Sequence, residues 1–119
     1  MHAITDALLG AAALGDIGEL FPDTDPRNKG RDSGEMLEAA WQLVAEQGFG
    51  IVNLDCIGFA QQPKLSEYKL KIRERIGSLL GVSADLIGLK AKTGEMVGPV
   101  GRQEAIMAQC VALLARVKN

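Results

Sequence analysis

Helical and extended patterns alternate along this 119-residue sequence, which predicts an α+β fold. Three observations carry the prediction. His2–Leu14 is dense in Ala and Leu, Asp32–Val44 repeats apolar residues at helical spacing behind a capping pair, and Phe49–Ala60 alternates apolar with polar side chains.

The first helix is expected over His2–Leu14, apolar on most faces and stopped by Gly15. From Gly15 to Pro26 the glycines, prolines and aspartates predict a long irregular loop, and a loop of that length in a small domain is usually functional. Asp32 caps the second helix with Glu35 three residues on, and Met36, Leu37, Ala40, Trp41 and Val44 share its inner face up to a stop at Gly48. In the strand that follows, Ile51, Asn53, Asp55, Ile57 and Phe59 face one way and Val52, Leu54 and Cys56 the other, a half-buried pattern. Gln61-Gln62-Pro63-Lys64 breaks it. A third helix is predicted from Ser66 to Leu80, with Tyr68, Ile72, Ile76 and Leu79 as its stripe and Gly81 at its end. Leu86–Ala91 reads as a short strand and Lys92–Gly101 as a second glycine-rich loop. Glu104–Val117 fits either a helix or one long strand, and its Ala, Met, Gln and Leu content favours helix.

Thirteen basic against fifteen acidic residues give a net charge of −2 and a single domain over 1–119. A chain this short has little room for a deep polar site of its own, so a sizeable site is expected to be shared between subunits. The balanced charge argues against nucleic acid as a partner, and the Lys69–Arg73 cluster beside Glu67 and Glu74 reads as a solvated face. Cys56 and Cys110 lie in apolar runs without Cys-x-x-Cys spacing, which indicates neither a disulfide framework nor a zinc ribbon and fits a reducing, cytoplasmic compartment. The longest apolar stretch, Ala7–Leu14, is far too short to cross a bilayer, and no export signal is visible.

The groups able to do chemistry are the single histidine and the charged residues of the two loops. His2 and Asp6 are four apart on one helical face, an arrangement suited to a metal ligand and its supporting carboxylate, or simply to a histidine exposed at a helix end. Asp16, Asp23 and Asp25 suit hydroxyl or cation binding as well as turn capping. Lys64 stands at a strand end where a cation meets phosphate, and Glu95 in its glycine-rich turn suits a hard cation shared with phosphate oxygens. No Ser or Cys lies near the histidine in sequence, which disfavours covalent catalysis.

These same residues carry a family likeness. The run His2–Gly18 followed by Phe21-Pro22-Asp23-Thr24-Asp25-Pro26 resembles, almost letter for letter, the signature of the 2-C-methyl-D-erythritol 2,4-cyclodiphosphate synthases of the non-mevalonate isoprenoid pathway. Ala60-Gln61-Gln62-Pro63-Lys64 is similar to that family's Ala-Gln-x-Pro-Lys, and Lys90–Glu95 with Gly101-Arg102 resembles its second substrate loop. The resemblance implies a homotrimer of α+β subunits, each with a mixed sheet facing the threefold axis and helices on the other face. It also implies that Glu104–Val117 is a strand, against its composition.

The implied reaction is an intramolecular phosphoryl transfer. The 2-phosphate of 4-diphosphocytidyl-2-C-methyl-D-erythritol 2-phosphate attacks the β-phosphorus and CMP leaves, making the enzyme a phosphorus-oxygen lyase. By resemblance, His2 is one of three ligands of a tetrahedral Zn²⁺, and Glu95 shares a Mg²⁺ or Mn²⁺ with the diphosphate. Asp16, Ile17 and Gly18 contact substrate hydroxyls, and Phe21, Pro22, Asp23, Thr24 and Asp25 line the erythritol side. Ala60, Gln61, Gln62, Pro63, Lys64, Leu65 and Ser66, with Lys92 and Thr93, match the nucleotide and phosphate contacts of the neighbouring subunit, and Gly94, Glu95, Pro99 and Arg102 are further expected substrate contacts. Lys64, Thr93 and Glu95 are the expected catalytic residues, and Arg102 is expected near the threefold axis, where family trimers hold an isoprenoid diphosphate.

The sequence also departs from the family. Its Met1 falls where the family has already supplied a first strand with an Asp-x-His pair and a His-Ser, so the expectation is an N-terminally truncated chain with an incomplete zinc site. Lys92 and Gly94 stand in place of threonines and Pro99-Val100 in place of Phe-Thr, and Gly94 is expected to loosen the loop. A second expectation is therefore a catalytically impaired trimer that keeps only nucleotide or isoprenoid-diphosphate binding.

Overall fold

Helix α1 spans His2–Ala11 and ends earlier than Leu14. Ala13 takes a left-handed conformation with φ of 58°, Leu14 N–H donates to Leu9 O at 2.9 Å and Ala13 N–H to Gly10 O at 3.1 Å. This pair of bonds closes the last turn before Gly15 is reached. The expected irregular stretch contains a short helix, α2 (Ile17–Leu20), because the Asp16 side chain accepts from Glu19 N–H and caps it. A 3₁₀ turn at Pro26–Asn28 is capped in the same way by Asp25.

Helix α3 (Ser33–Glu46) starts where its cap predicts, with Asp32 accepting from Gly34 N–H, and Met36, Leu37, Ala40 and Val44 are buried. Strand β1 (Phe49–Phe59) follows, then a 3₁₀ turn at Leu65–Tyr68 and helix α4 (Lys69–Leu80). The predicted helix thus begins with a tighter turn, and Tyr68 is half exposed instead of joining the stripe. Gly81 closes α4 in the left-handed conformation. Strand β2 (Ile87–Lys92), a single helical turn α5 (Gly98–Gly101) inside the second glycine-rich loop, and strand β3 (Met107–Arg116) complete the order. The computed structural model describes residues 1–117, so Lys118 and Asn119 at the end of the expected domain lie outside the described residues.

The sheet is mixed, with order β2-β1-β3, β1 running parallel to β2 and antiparallel to β3. Leu54, Cys56 and Ile87 on its inner face pack with Leu8, Leu9, Leu37, Val44, Ile76 and Leu80 of α1, α3 and α4 in one core. The alternation of β1 is not continuous. The register slips at Val52, between the pairs Ile51–Leu114 and Asn53–Leu113. Phe49 and Ile51 therefore pack on the core side together with Leu54 and Cys56, not opposite them.

Arg73 of the expected solvated cluster is half-buried. Its guanidinium donates to Ile87 O at 2.8 Å and to Ala84 O at 2.9 Å, tying α4 to the entry of β2. Among the described residues no helix covers the outer sheet face, and Val111 and Leu113 on it are 72% and 56% exposed.

Candidate functional site

The parallel strands β1 and β2 end side by side. Phe59 pairs with Lys92, and Ala60 N–H extends the ladder by donating to Lys92 O at 3.0 Å. The carboxyl ends of parallel strands point their loops into a common crevice. Here Ala60, Lys64, Leu65 and Ser66 from one side and Ala91, Lys92 and Thr93 from the other line a cavity of about 160 Å³. Two segments that lie about 30 residues apart in the chain, each predicted to contact phosphate or nucleotide, thus share one cavity. Neither Lys64 nor Lys92 forms an ion pair among the described residues, so two lysines without a carboxylate partner line this cavity together with Ser66 and Thr93. That donor set suits a phosphate-bearing ligand. Gln61 and Gln62 face the other way and line a separate depression with Gln103, Glu104, Ala105 and Ile106.

The loop after β2 is held by its backbone. Thr93 Oγ1 accepts from Glu95 N–H at 3.1 Å, and Gln61 Oε1 accepts from Met96 N–H at 3.3 Å. Glu95, Met96 and Gln103 all have positive φ, between 50° and 66°, which is costly for side-chain-bearing residues and concentrates at functional loops. Gly94 does not loosen this loop. A Cβ there would collide with the backbone of Gly101, and one at Gly101 would collide with that of Met96, so the two glycines permit a close backbone approach. Glu95 is presented outward on this tight turn. Pro99 opens α5, and Arg102 pairs with Glu104 at 3.0 Å on the surface; neither lines the 160 Å³ cavity.

The Asp-rich loop forms a second group. Asp6 Oδ1 accepts from Ile17 N–H at 2.7 Å, and Asp16 Oδ1 from Glu19 N–H at 2.8 Å. Asp25 accepts from both the backbone and the guanidinium of Arg27, whose hydrogen bonds hold the Asp25 carboxyl below its ordinary range. Pro22 O accepts from Asn28 Nδ2 at 2.8 Å, and Phe21 is buried beneath the Arg31 guanidinium, 4.7 Å from the ring centre. Ile17 is half-buried, while Gly18, Asp23 and Thr24 are exposed. None of residues 16–25 lines the cavity of Lys64 and Lys92.

His2 is exposed on α1, and the Asp6 carboxylate expected to support it binds the Ile17 amide. Among the described residues no three His, Cys, Asp or Glu side chains converge as a metal site. Sequence reasoning missed Ala91 as a cavity residue and Gln103–Ile106 as the wall facing Gln61. Both flank predicted segments, and only the folding of the loop shows which way they face. No helix among the described residues is long and apolar enough to cross a membrane.

The model of the YgbB family matches residues 1–115. The 2-C-methyl-D-erythritol 2,4-cyclodiphosphate synthase of Dechloromonas aromatica (strain RCB) is 55% identical over 117 residues, which cover 98% of this chain and 73% of that protein. The Synechococcus elongatus protein of the same name is 50% identical over 115 residues, covering 97% of this chain and 72% of that protein. Among solved structures, the bifunctional IspDF of Campylobacter jejuni matches with a TM-score of 0.92 at 42% identity, over 97% of this chain and 31% of that one. The CDP complex of Plasmodium falciparum IspF matches with a TM-score of 0.87 at 32% identity, over 98% of this chain and 70% of that one.

Proposed function

The chain belongs to the YgbB family, and from that premise we propose that it acts as a 2-C-methyl-D-erythritol 2,4-cyclodiphosphate synthase of isoprenoid biosynthesis. The reaction is the cyclisation of 4-diphosphocytidyl-2-C-methyl-D-erythritol 2-phosphate with release of CMP. The observation that carries this reading is the meeting of Ala60, Lys64, Leu65 and Ser66 with Lys92 and Thr93 around one cavity that holds two lysines. The relatives are synthases by name, which favours an enzyme over the binding-only alternative.

The substrate supplies its own nucleophile, so the protein has only to position charge. In our reading Lys64 and Lys92 neutralise the diphosphate, while the Thr93 and Ser66 hydroxyls donate to its oxygens. The close Gly94–Gly101 approach fixes the turn that presents Thr93 to the cavity and Glu95 beside it, so less ordering is required when substrate binds. Ala60 and Leu65 then flank the nucleoside, and the CDP complex of the Plasmodium relative supports a cytidine nucleotide as ligand.

The donor chemistry of Glu95 fits a hard divalent cation: one outward carboxylate, with the remaining positions left to phosphate oxygens. Such a cation, when bound, would supply charge neutralisation at the diphosphate. The described residues do not by themselves fit a three-ligand zinc site, because His2 has no converging partners, and no step is assigned to zinc.

We further propose that the working form is a homotrimer. The helix-free outer sheet face with exposed Val111 and Leu113 supports burial against other subunits. The separation of the Asp16–Asp25 group from the Lys64 cavity supports a site in which one subunit supplies the first group and its neighbour the second. Arg102 and an isoprenoid diphosphate on the trimer axis belong to the same proposal.

The test is CMP release from the diphosphocytidyl substrate with Mg²⁺ or Mn²⁺ present, read beside a calorimetric CDP titration. Lys64→Ala should lower kcat/KM by about 100-fold with the thermal midpoint unchanged, since Lys64 is exposed and unpaired. Absence of both CMP release and CDP binding at millimolar ligand would overturn the assignment.

A further inference from the structure

Cys56 of β1 and Cys110 of β3 are directly opposed in the antiparallel pair, and their Sγ atoms form a thiol–thiol hydrogen bond at 3.3 Å. Opposed residues of such a pair have Cα atoms about 4.5–5.5 Å apart, inside the roughly 4.4–6.8 Å range that disulfides span. Closure therefore asks the sulfurs to approach without moving the strands. Both thiols are free, and both lie on the wall of an apolar cavity of about 180 Å³ formed with Met1, Ile72 and Leu89, which is large enough for a small oxidant. Neither lines the cavity of Lys64 and Lys92.

The two sulfurs are not equivalent. The Cys110 thiol beside it holds Cys56 below the ordinary thiol range, although burial opposes this, whereas the same hydrogen bond and burial push Cys110 up. Cys56 is thus the sulfur that ionises first.

We infer that Cys56 and Cys110 form a dithiol modification site, which a hydroperoxide converts to an intrachain disulfide joining the central strand to its antiparallel neighbour. The Cys56 thiolate attacks the O–O bond of hydrogen peroxide and becomes a sulfenic acid, the released hydroxide taking up the thiol proton to leave as water. Cys110 sulfur then attacks Cys56 sulfur, its own proton leaves with the sulfenic hydroxyl as a second water, and the S–S bond forms. Two thiols lose two electrons in all, and one peroxide is reduced to two waters. A dithiol reductant reverses the closure by exchange. The bond links residues 54 apart in sequence, so it restricts the unfolded chain strongly.

The experiment treats the full, folded chain with hydrogen peroxide, then denatures it, alkylates it and measures the intact mass. The expected result is a loss of two hydrogens, no alkylation, a peptide map linking Cys56 to Cys110, and restoration of two alkylated thiols by dithiothreitol. The oxidised chain should melt about 10 °C above the reduced one, a rise absent from Cys110→Ser. Peptide mapping of the unmutated chain keeps the test decisive if that variant does not fold. Two alkylatable thiols after treatment, separate sulfinic acids, a disulfide between chains, or an oxidised chain that melts no higher than the reduced one would each overturn the inference.

Discussion

The two functional loops differ in what supplements their backbone turns. Residues 13–32 add side-chain caps to their backbone turns: Asp6, Asp16 and Asp25 each accept a backbone N–H, and Asn28 donates to Pro22 O. Residues 93–106 are held mainly by the backbone itself, through left-handed Glu95, Met96 and Gln103 and the mutual approach of Gly94 and Gly101 with Met96. A loop with side-chain caps loses one hydrogen bond at a time. A loop held by close backbone approach has no side chain to trade, so a single added carbon displaces the whole turn.

Gly101→Ala should separate the two most sharply. The new Cβ meets the Met96 backbone, and a destabilisation of about 3 kcal/mol is expected, read as a lower denaturation midpoint together with lost CDP binding. In the first loop, Asp16→Ala removes one cap and should cost about 1 kcal/mol; a cost as large as that of Gly101→Ala would erase the distinction. Ala13→Gly is expected to stabilise by about 0.5 kcal/mol, because relief of the left-handed strain exceeds the added freedom of the unfolded chain.

The smallest effect belongs to Asp25 and is read from how stability changes between neutral pH and acid. Its carboxyl titrates below the ordinary value in the folded chain, because of the Arg27 hydrogen bonds. Its contribution is therefore present above about pH 4 and lost as the pH falls through the lowered folded value. Asp25→Asn should flatten that acid-side slope, lowering stability at pH 7 by the same small amount while the two chains converge in acid; the amount is small because the Arg27 partner is exposed. Urea midpoints measured from pH 2 to pH 7 on both chains decide it.

Much of the Asp-rich loop was legible because its chemistry is local. An aspartate two or three residues before the N–H it accepts is a short-range pattern, although the Gly and Pro around it hid the helical turn at Ile17–Leu20. The pairing of Lys64 with Lys92 rested on resemblance, since nothing in their spacing says that β1 and β2 run parallel and end together. Gly94 was misread for a related reason: its role is set by Gly101, seven residues on, and not by its own freedom.

Local sequence was enough to fix the start of α3 behind Asp32, the end of α4 at Gly81 and the inner faces of both helices, because a helix makes its hydrogen bonds within its own turns. It could not fix β3. Ala, Met, Gln and Leu left Glu104–Val117 open to either form, and ten residues, Met107–Arg116, became a strand by pairing with β1. The slip at Val52, which brings Ile51 and Leu54 to the same side, belongs to that pairing too. An extended backbone satisfies its N–H and C=O groups only on a neighbour, so the neighbour, and not the strand, sets its form and its facing.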